Sequence, residues 1–369
     1  MRFMGLAIFI FQGLLATAEA IPANSPRWEL RGQGKVVDYD QRSCLFLRGG
    51  QAILKDFAMR DGVIDVDVST PEIRGFFGIY FRMSPDGNGE WVYLRPQKSG
   101  LDDAQQYTPI FRGAAVWQLY NGPGFTGAVD VPRNTWIHLR LEVAGAQAKL
   151  FVNDMGRPSL VMPDLKSGMQ EGSVMISGPA YFANFQVSAT SPVAWKRDLP
   201  PMPADTLDQW QLSPAFPAES QNPEQLPAPA EWNAMKWEKV VAEAPGTVVV
   251  NRYRDPPMAA TVEFEHRLEP QRGAMVVYAR TSITTDRDET RRLEIGYSDD
   301  VSVFLNGRIL YRGRSAQHFR DPGFLGIVNP ENDAIFLPLA NGRNELVLAV
   351  TEVTGGWGFI CRLAPSKAK

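Results

Sequence analysis

The sequence predicts an all-β protein made of two β-sandwich (jelly-roll) domains. Three observations carry that expectation. Short runs that alternate apolar and polar residues recur from Trp28 to Val187 and again from Trp210 to Cys361. Gly-, Pro-, Asn- and Asp-rich turns separate the runs, and no long window shows helical spacing. Many short alternating strands at this rhythm are the signature of antiparallel sheets closed into sandwiches.

The elements follow in order. Residues 1–20 carry Arg2, an apolar run from Phe3 to Leu15 and a small-x-small pattern at Ala18-Glu19-Ala20. That layout predicts a secretory signal peptide cut after Ala20, hence a secreted or periplasmic protein with no transmembrane span after cleavage. Strands are then expected at Leu45–Arg48, Ala52–Leu54, Val63–Val68, Phe76–Arg82, Trp91–Arg95, Val116–Tyr120, Trp136–Val143 and Ala148–Val152, within a first sandwich spanning 21–190. Pro192, Pro200, Pro201 and Pro203 mark a linker at 191–204. A second sandwich, 205–369, holds a proline-rich loop from Pro214 to Pro229. Its strands are expected at Arg292–Gly296, Val301–Leu305, Arg308–Tyr311, Asn344–Val350 and Trp357–Cys361, with a tight hairpin at Asn306-Gly307.

Composition narrows the function. With 44% hydrophobic residues, 21% charged residues and a formal net charge of −3, the chain has real cores and no basic domain, so nucleic acid is not an expected partner. Cys44 and Cys361 stand near opposite ends, and spacing alone leaves open whether they pair or are two separate buried thiols. His138, His266 and His318 make no zinc-ligand spacing with them, so no metal ligands and no cofactor are expected. Asp299-Asp300 leaves a structural calcium open against a plain turn role.

The stretches GFFGIYFRM (75–83), YLRPQKSG (93–100), QQYTP (105–109), WQLY (117–120), GPGFT (122–126) and NTWIHLRLEV (134–143) resemble concanavalin A-like lectin/glucanase domains, in particular exported domains related to the 3-keto-disaccharide hydrolase family. The stretches LEIGYSDDVSVFLNGRILY (293–311) and LANGRNELVLAVTEVTGGWGF (339–359) resemble galactose-binding-like jelly rolls. The resemblance implies carbohydrate handling without deciding between binding and hydrolysis.

The residues bear on that choice. Retaining glycosidases need two carboxylates about 5 Å apart. Laminarinase-like members of the fold that the first domain resembles set theirs on one strand in an E-x-D-x-x-E pattern. Here Asp65 and Asp67 share a strand face, but Thr70 stands where the last glutamate would be, and a structural role, solvated or paired to a neighbouring arginine, fits the aspartates better. No nucleophile elbow, HExxH motif or phosphate loop occurs, so no catalytic residue is assigned. A sugar presents C–H patches and hydroxyls, which call for aromatic faces beside planar polar groups. Strand alternation puts Tyr80 and Arg82 on one face, away from Ile79 and Phe81. It likewise groups Trp91, Tyr93 and Arg95 away from Val92 and Leu94, and Gln118 and Tyr120 away from Trp117 and Leu119, with Gln106 and Tyr107 on a neighbouring loop. These nine residues form the expected ligand-binding floor. A basic run, Arg308, Arg312, Arg314 and Arg320 with His318, offers either an acidic-glycan contact or a solvated strand edge. The leading expectation is an exported, non-catalytic glycan-binding protein. A hydrolase of a modified sugar and a structural envelope protein binding another protein remain the alternatives.

Overall fold

A computed structural model of the chain describes residues 18–189, 192–197, 199–255 and 273–366. The signal segment expected at 1–20 therefore lies outside the described residues except for its last three. Those residues form four antiparallel sheets, two in each of two sandwiches. In the first sandwich a front sheet runs in the order Ala114–Ala115, Gln105–Phe111, Gly89–Leu94, Phe77–Met83, Gly172–Ser177, Gln51–Met59, Trp28–Arg31. A back sheet runs Leu160–Met162, Gln147–Val152, Trp136–Ala144, Gly62–Ser69, Ala180–Ser188, Arg42–Leu47, Gly34–Tyr39. Residues Glu19–Ala20 add a short strand against Val187 and Gln186.

The period-two pattern explains the packing. Along Gly62–Ser69, Ile64, Val66 and Val68 are buried between the sheets while Asp65 and Asp67 face outward. The facing layer comes from the front sheet, where Ile79, Phe81, Val92 and Leu94 join the same core. An outward or inward slip by one residue would exchange every one of these groups, so burial fixes the register.

The second sandwich pairs a seven-stranded sheet with a four-stranded one around Leu293, Ile295, Val303, Leu348, Trp357 and Phe359. The Asn306-Gly307 hairpin forms as expected, with φ of 50° and 79°. The proline-rich stretch after Pro214 is more ordered than its composition implies: it holds a short helix, Pro229–Ala234, whose Trp232 packs edge-on against Tyr278. Of the residues between the sandwiches, Trp195 lies against the first one. It exchanges hydrogen bonds with Gln147 and receives the Lys149 ammonium over its ring at 4.1 Å. Cys44 and Cys361 are both buried and free, one in each sandwich.

One expected strand is absent. Val116–Tyr120 is a turn closed by the Leu119 N–H on the Val116 carbonyl at 3.0 Å. Its side chains are drawn out of the sheet by the second sandwich. Phe111, Ala114, Val116, Leu119 and Tyr120 pack with Val249 into a shared apolar cluster.

Candidate functional site

The nine expected ligand residues separate into four environments. Tyr80, Trp91, Tyr93, Arg95 and Gln106 come together on the outer face of the front sheet, behind the core residues Ile79, Phe81, Val92 and Leu94. The rings form a continuous row. Tyr80 stacks on Trp91 with centroids 4.8 Å apart and planes 4° apart, and Trp91 stacks on Tyr93 at 4.1 Å. Phe76 meets Tyr93 edge-on at 5.6 Å. The Arg95 guanidinium lies 4.8 Å from the Tyr93 ring centroid and 5.7 Å from that of Phe76.

A hydrogen-bonded polar end completes the row. Tyr93 donates its hydroxyl proton to Gln106 Oε1 at 2.8 Å and accepts from Arg95 Nη2 at 2.8 Å. Arg95 also donates to Gln106 Oε1 and to the Asp103 carbonyl. Gln106 Nε2 donates to the carbonyls of Trp117 and Tyr120, so the turn that failed to become a strand holds the amide in place. Burial raises the Tyr93 hydroxyl above its ordinary range, so it stays a neutral donor.

The face is closed where an open floor was expected. Tyr80 is 1% exposed, Trp91 and Tyr93 2%, and Arg95 7%. Among the described apolar residues packed against the row, Phe76, Ile53 and Ala115 are partly open. The alternation therefore holds, and the openness does not. Alternation specifies a side of the sheet, not what later folds over it.

Arg82 leaves the face altogether. It has φ of +52° at an irregularity where the neighbouring strand slips register between Ser173 and Met175. The left-handed residue turns the guanidinium toward the Arg60 carbonyl at 2.7 Å and Asp61 Oδ1 at 2.9 Å. A β-bulge re-aims a side chain in this way, and alternation cannot foresee it.

Tyr107 points inward. Val92 is its register partner, and it joins the core. Its hydroxyl donates to Glu90 Oε2 at 2.7 Å, and Ser167 Oγ donates to Glu90 Oε1 at 2.6 Å. Burial pushes the Glu90 carboxyl up to about 7, against the opposing pull of these hydrogen bonds. Sequence reasoning missed Glu90. Its signal was an acidic residue at an inward position of an otherwise apolar strand.

Gln118 and Tyr120 belong to the joint between the sandwiches. Gln118 is fully buried. It donates to the Leu325 carbonyl at 3.0 Å and accepts from Ser298 Oγ at 3.2 Å. Gly355, at φ of +102°, leaves room for it, since a Cβ there would stand 2.0 Å from Gln118 Oε1. Tyr120 donates to Glu243 Oε2 at 3.1 Å. Arg252 pairs with Glu243 and lies 4.3 Å over the Phe111 ring.

Most of the other groups singled out by sequence make ion pairs or local bonds. Asp65 pairs with Arg140 Nε at 2.8 Å and Asp67 with Arg42 at 2.6 Å, the paired one of the two structural roles expected of them. His138 bridges both carboxylates, at 2.9 and 2.7 Å. In the basic run, Arg312 pairs with Glu224, Arg314 with Asp300 and Arg320 with Asp333. Asp299 Oδ2 accepts from the backbone N–H groups of Val353 and Thr354 at 2.8 and 3.0 Å. Among the described residues, no helix is long and apolar enough to cross a membrane.

No protein-family profile matches the chain, and no curated protein matches it. Solved structures do. A carbohydrate-binding module of Bacillus subtilis is 17% identical over 45% of this chain and 97% of its own, with a TM-score of 0.35. Domain 4 of an extracellular arabinanase from Geobacillus stearothermophilus, solved with arabinotriose, is 18% identical over 47% of this chain and 81% of its own, at 0.29. A galectin from Caenorhabditis elegans is 14% identical over 42% of this chain and 95% of its own, at 0.27. Likeness at this level carries no ligand or activity to the present chain.

Proposed function

We propose that this chain is an exported, non-catalytic glycan-binding protein whose ligand meets the front-sheet array at its partly open Phe76 rim, with the buried Arg95 behind it. One observation carries the reading: a row of stacked rings ends in a fixed Tyr93–Arg95–Gln106 hydrogen-bond network on the outer side of a sheet. Aromatic rings meet the C–H face of a pyranose, and planar donor–acceptor groups meet its hydroxyls. A ligand approaches over the partly open Phe76, with Arg95 held above both rings.

The arrangement of carboxylates supports binding over hydrolysis. At the array, Asp103 is engaged by Lys98 and lies 3.6 Å from Arg95. Glu90, the nearby acid with a raised pKa, faces the opposite side of the sheet, into the core. Two-carboxylate glycoside hydrolysis needs both groups flanking one bond.

The test is a glycan array followed by titration calorimetry with Tyr93→Phe and Phe76→Ala. Tyr93→Phe keeps the ring and removes the hydroxyl, and Phe76→Ala removes the partly open ring. Loss of binding in both, with unchanged circular dichroism, supports the site. Undiminished binding in both removes it. Export carries its own test. The secreted form is expected to begin at Ile21, whose N–H bonds the Phe185 carbonyl at 2.8 Å, and N-terminal mass spectrometry of native-host protein reads this directly.

A further inference from the structure

The outer face of the back sheet holds a second aromatic cluster, and this one is open. Phe46, Tyr181, Ser69 and Trp136 are successive register partners across four adjacent strands. Tyr39 stacks on Tyr181 with centroids 3.9 Å and planes 5° apart, and Phe46 stacks on Tyr181 at 4.5 Å. Trp136 lies 5.9 Å from Tyr39, and the Arg42 guanidinium sits 4.5 Å over the Trp136 ring. All four rings are half-buried.

A polar row borders the cluster. Asp67 accepts from Arg42 and from the exposed Asn184 at 2.7 Å, Asp65 accepts from Arg140, and the His138 ring lies between them with Nδ1 2.7 Å from Asp67 and Nε2 2.9 Å from Asp65. These hydrogen-bond partners all belong to the first sandwich. Among the described residues two donors in it have no partner: Ser69 Oγ, on a fully buried residue between Tyr181 and Trp136, and Trp136 Nε1. An unmade hydrogen bond at a buried polar group is costly, and Ala and Phe would fill the same places without that cost.

We infer that this face is a second glycan platform, separate from the front-sheet array, and that its ligand is the ring of a neutral hexopyranose or pentopyranose. A contiguous apolar patch rimmed by polar groups marks a binding surface, whereas single exposed apolar residues do not. The rim chemistry selects the ligand. Two carboxylates are matched one for one by Arg42 and Arg140, with His138 between them, so no surplus of arginine charge stands ready to hold a sulfate, uronate or phosphate. The same groups supply both donors and acceptors beside ring faces, matching a sugar with C–H patches and hydroxyls. Placed on opposite sheets of one sandwich, two such sites would let one molecule bridge two chains of a polysaccharide.

The experiment uses the full-length secreted protein with a panel of cello-, xylo-, laminari- and malto-oligosaccharides, read by titration calorimetry. Trp136→Ala and Tyr39→Ala are compared with Tyr93→Phe on the other sheet. The expected result is a loss of about tenfold or more in affinity for one binding event in each platform variant. Tyr93→Phe should leave that event intact. Trp136→Phe, which keeps the ring and removes the unpaired N–H, should lose less than Trp136→Ala and serves as the folding control. Oligosaccharide binding that ignores Trp136→Ala and Tyr39→Ala overturns the inference while leaving the front-sheet reading standing. Loss only in Tyr93→Phe does the same. Absence of any binding by wild type removes both. A dimer in sedimentation analysis that Trp136→Ala converts to monomer assigns the face to a second copy of the chain and also overturns the inference.

Discussion

On the front sheet of the first sandwich, Tyr80, Trp91 and Tyr93 stand on the outer side and are 1–2% exposed. On the back sheet, Tyr39, Phe46, Tyr181 and Trp136 stand on the outer side and remain half-exposed. The same alternation builds both rows, and both combine stacked rings with arginine over an aromatic face. They differ in what lies above them. The front row is roofed at one end by the 116–120 turn, which the second sandwich holds by Gln118. Among the described residues, the back row's ring and hydrogen-bond partners lie in the first sandwich. The contrast teaches that a sheet's outer face is defined by strand period, whereas its accessibility is defined by chain far away in sequence.

The largest expected effect comes from removing the same residue type on each face. Trp91→Ala should destabilise the protein by about 3–5 kcal/mol, the range for a large buried ring replaced by a cavity. Trp136→Ala, half-exposed, should cost about 1 kcal/mol. Urea midpoints of the two variants measure the difference, and equal costs would erase the distinction between closed and open faces.

Next is the inner side of the front sheet. Burial raises the Glu90 carboxyl from 4.5 to about 7, so the folded state holds the proton more tightly than the unfolded chain. The associated stabilisation, about 3 kcal/mol, is complete below about pH 4.5 and is lost as pH rises through about 7. Glu90→Gln should flatten the pH dependence of the urea midpoint across that window. An unchanged slope would mean another group controls it.

The joint comes third. Gln118→Ala takes the side-chain donor from the Leu325 carbonyl and leaves Ser298 Oγ with Asp299 Oδ1 as its remaining acceptor, an expected cost of about 1–3 kcal/mol. Hydrogen exchange should quicken at Val328, whose N–H bonds the Gln118 carbonyl, and at the roof over the front row. The back-sheet strands should not change. Faster exchange there instead would show that the two faces are coupled.

The smallest effect is expected at the partly exposed ion pairs. Arg140→Ala should cost at most about 1 kcal/mol, because solvent screens the Asp65 pair. Its melting temperature in low and high salt checks this.

Much of this architecture was legible in the sequence. The strands around Val63–Val68 and Trp136–Val143 announced themselves by alternation, and the Asn-Gly pair announced its hairpin by backbone preference. The grouping of Tyr93 with Arg95 followed from the same rule, whereas Gln106, expected on a loop, reaches them from a neighbouring strand. Four residues escaped that rule for three physical reasons. Arg82 sits at a bulge, where one left-handed residue resets the alternation. Tyr107 was read as part of a loop, yet it lies in a strand whose inward face is set by pairing with Val92. Gln118 and Tyr120 answered to partners on the second sandwich, at Ser298, Leu325 and Glu243. The back-sheet cluster went unseen because Tyr39, Phe46, Trp136 and Tyr181 are spread over about 140 residues of sequence. Only sheet order makes them neighbours.

The sequence by itself determined the all-β class, the inward and outward sides of most strands, and the outward position of Asp65 and Asp67. These depend on local period and on the cost of burying charge, both of which a short stretch of residues contains. Tertiary structure alone decided which outer face is closed, where the Gln118 key sits, and that a buried glutamate stands behind the array. Each of those depends on contacts between segments far apart in the chain. Their free energy resides in a three-dimensional juxtaposition that no local pattern encodes.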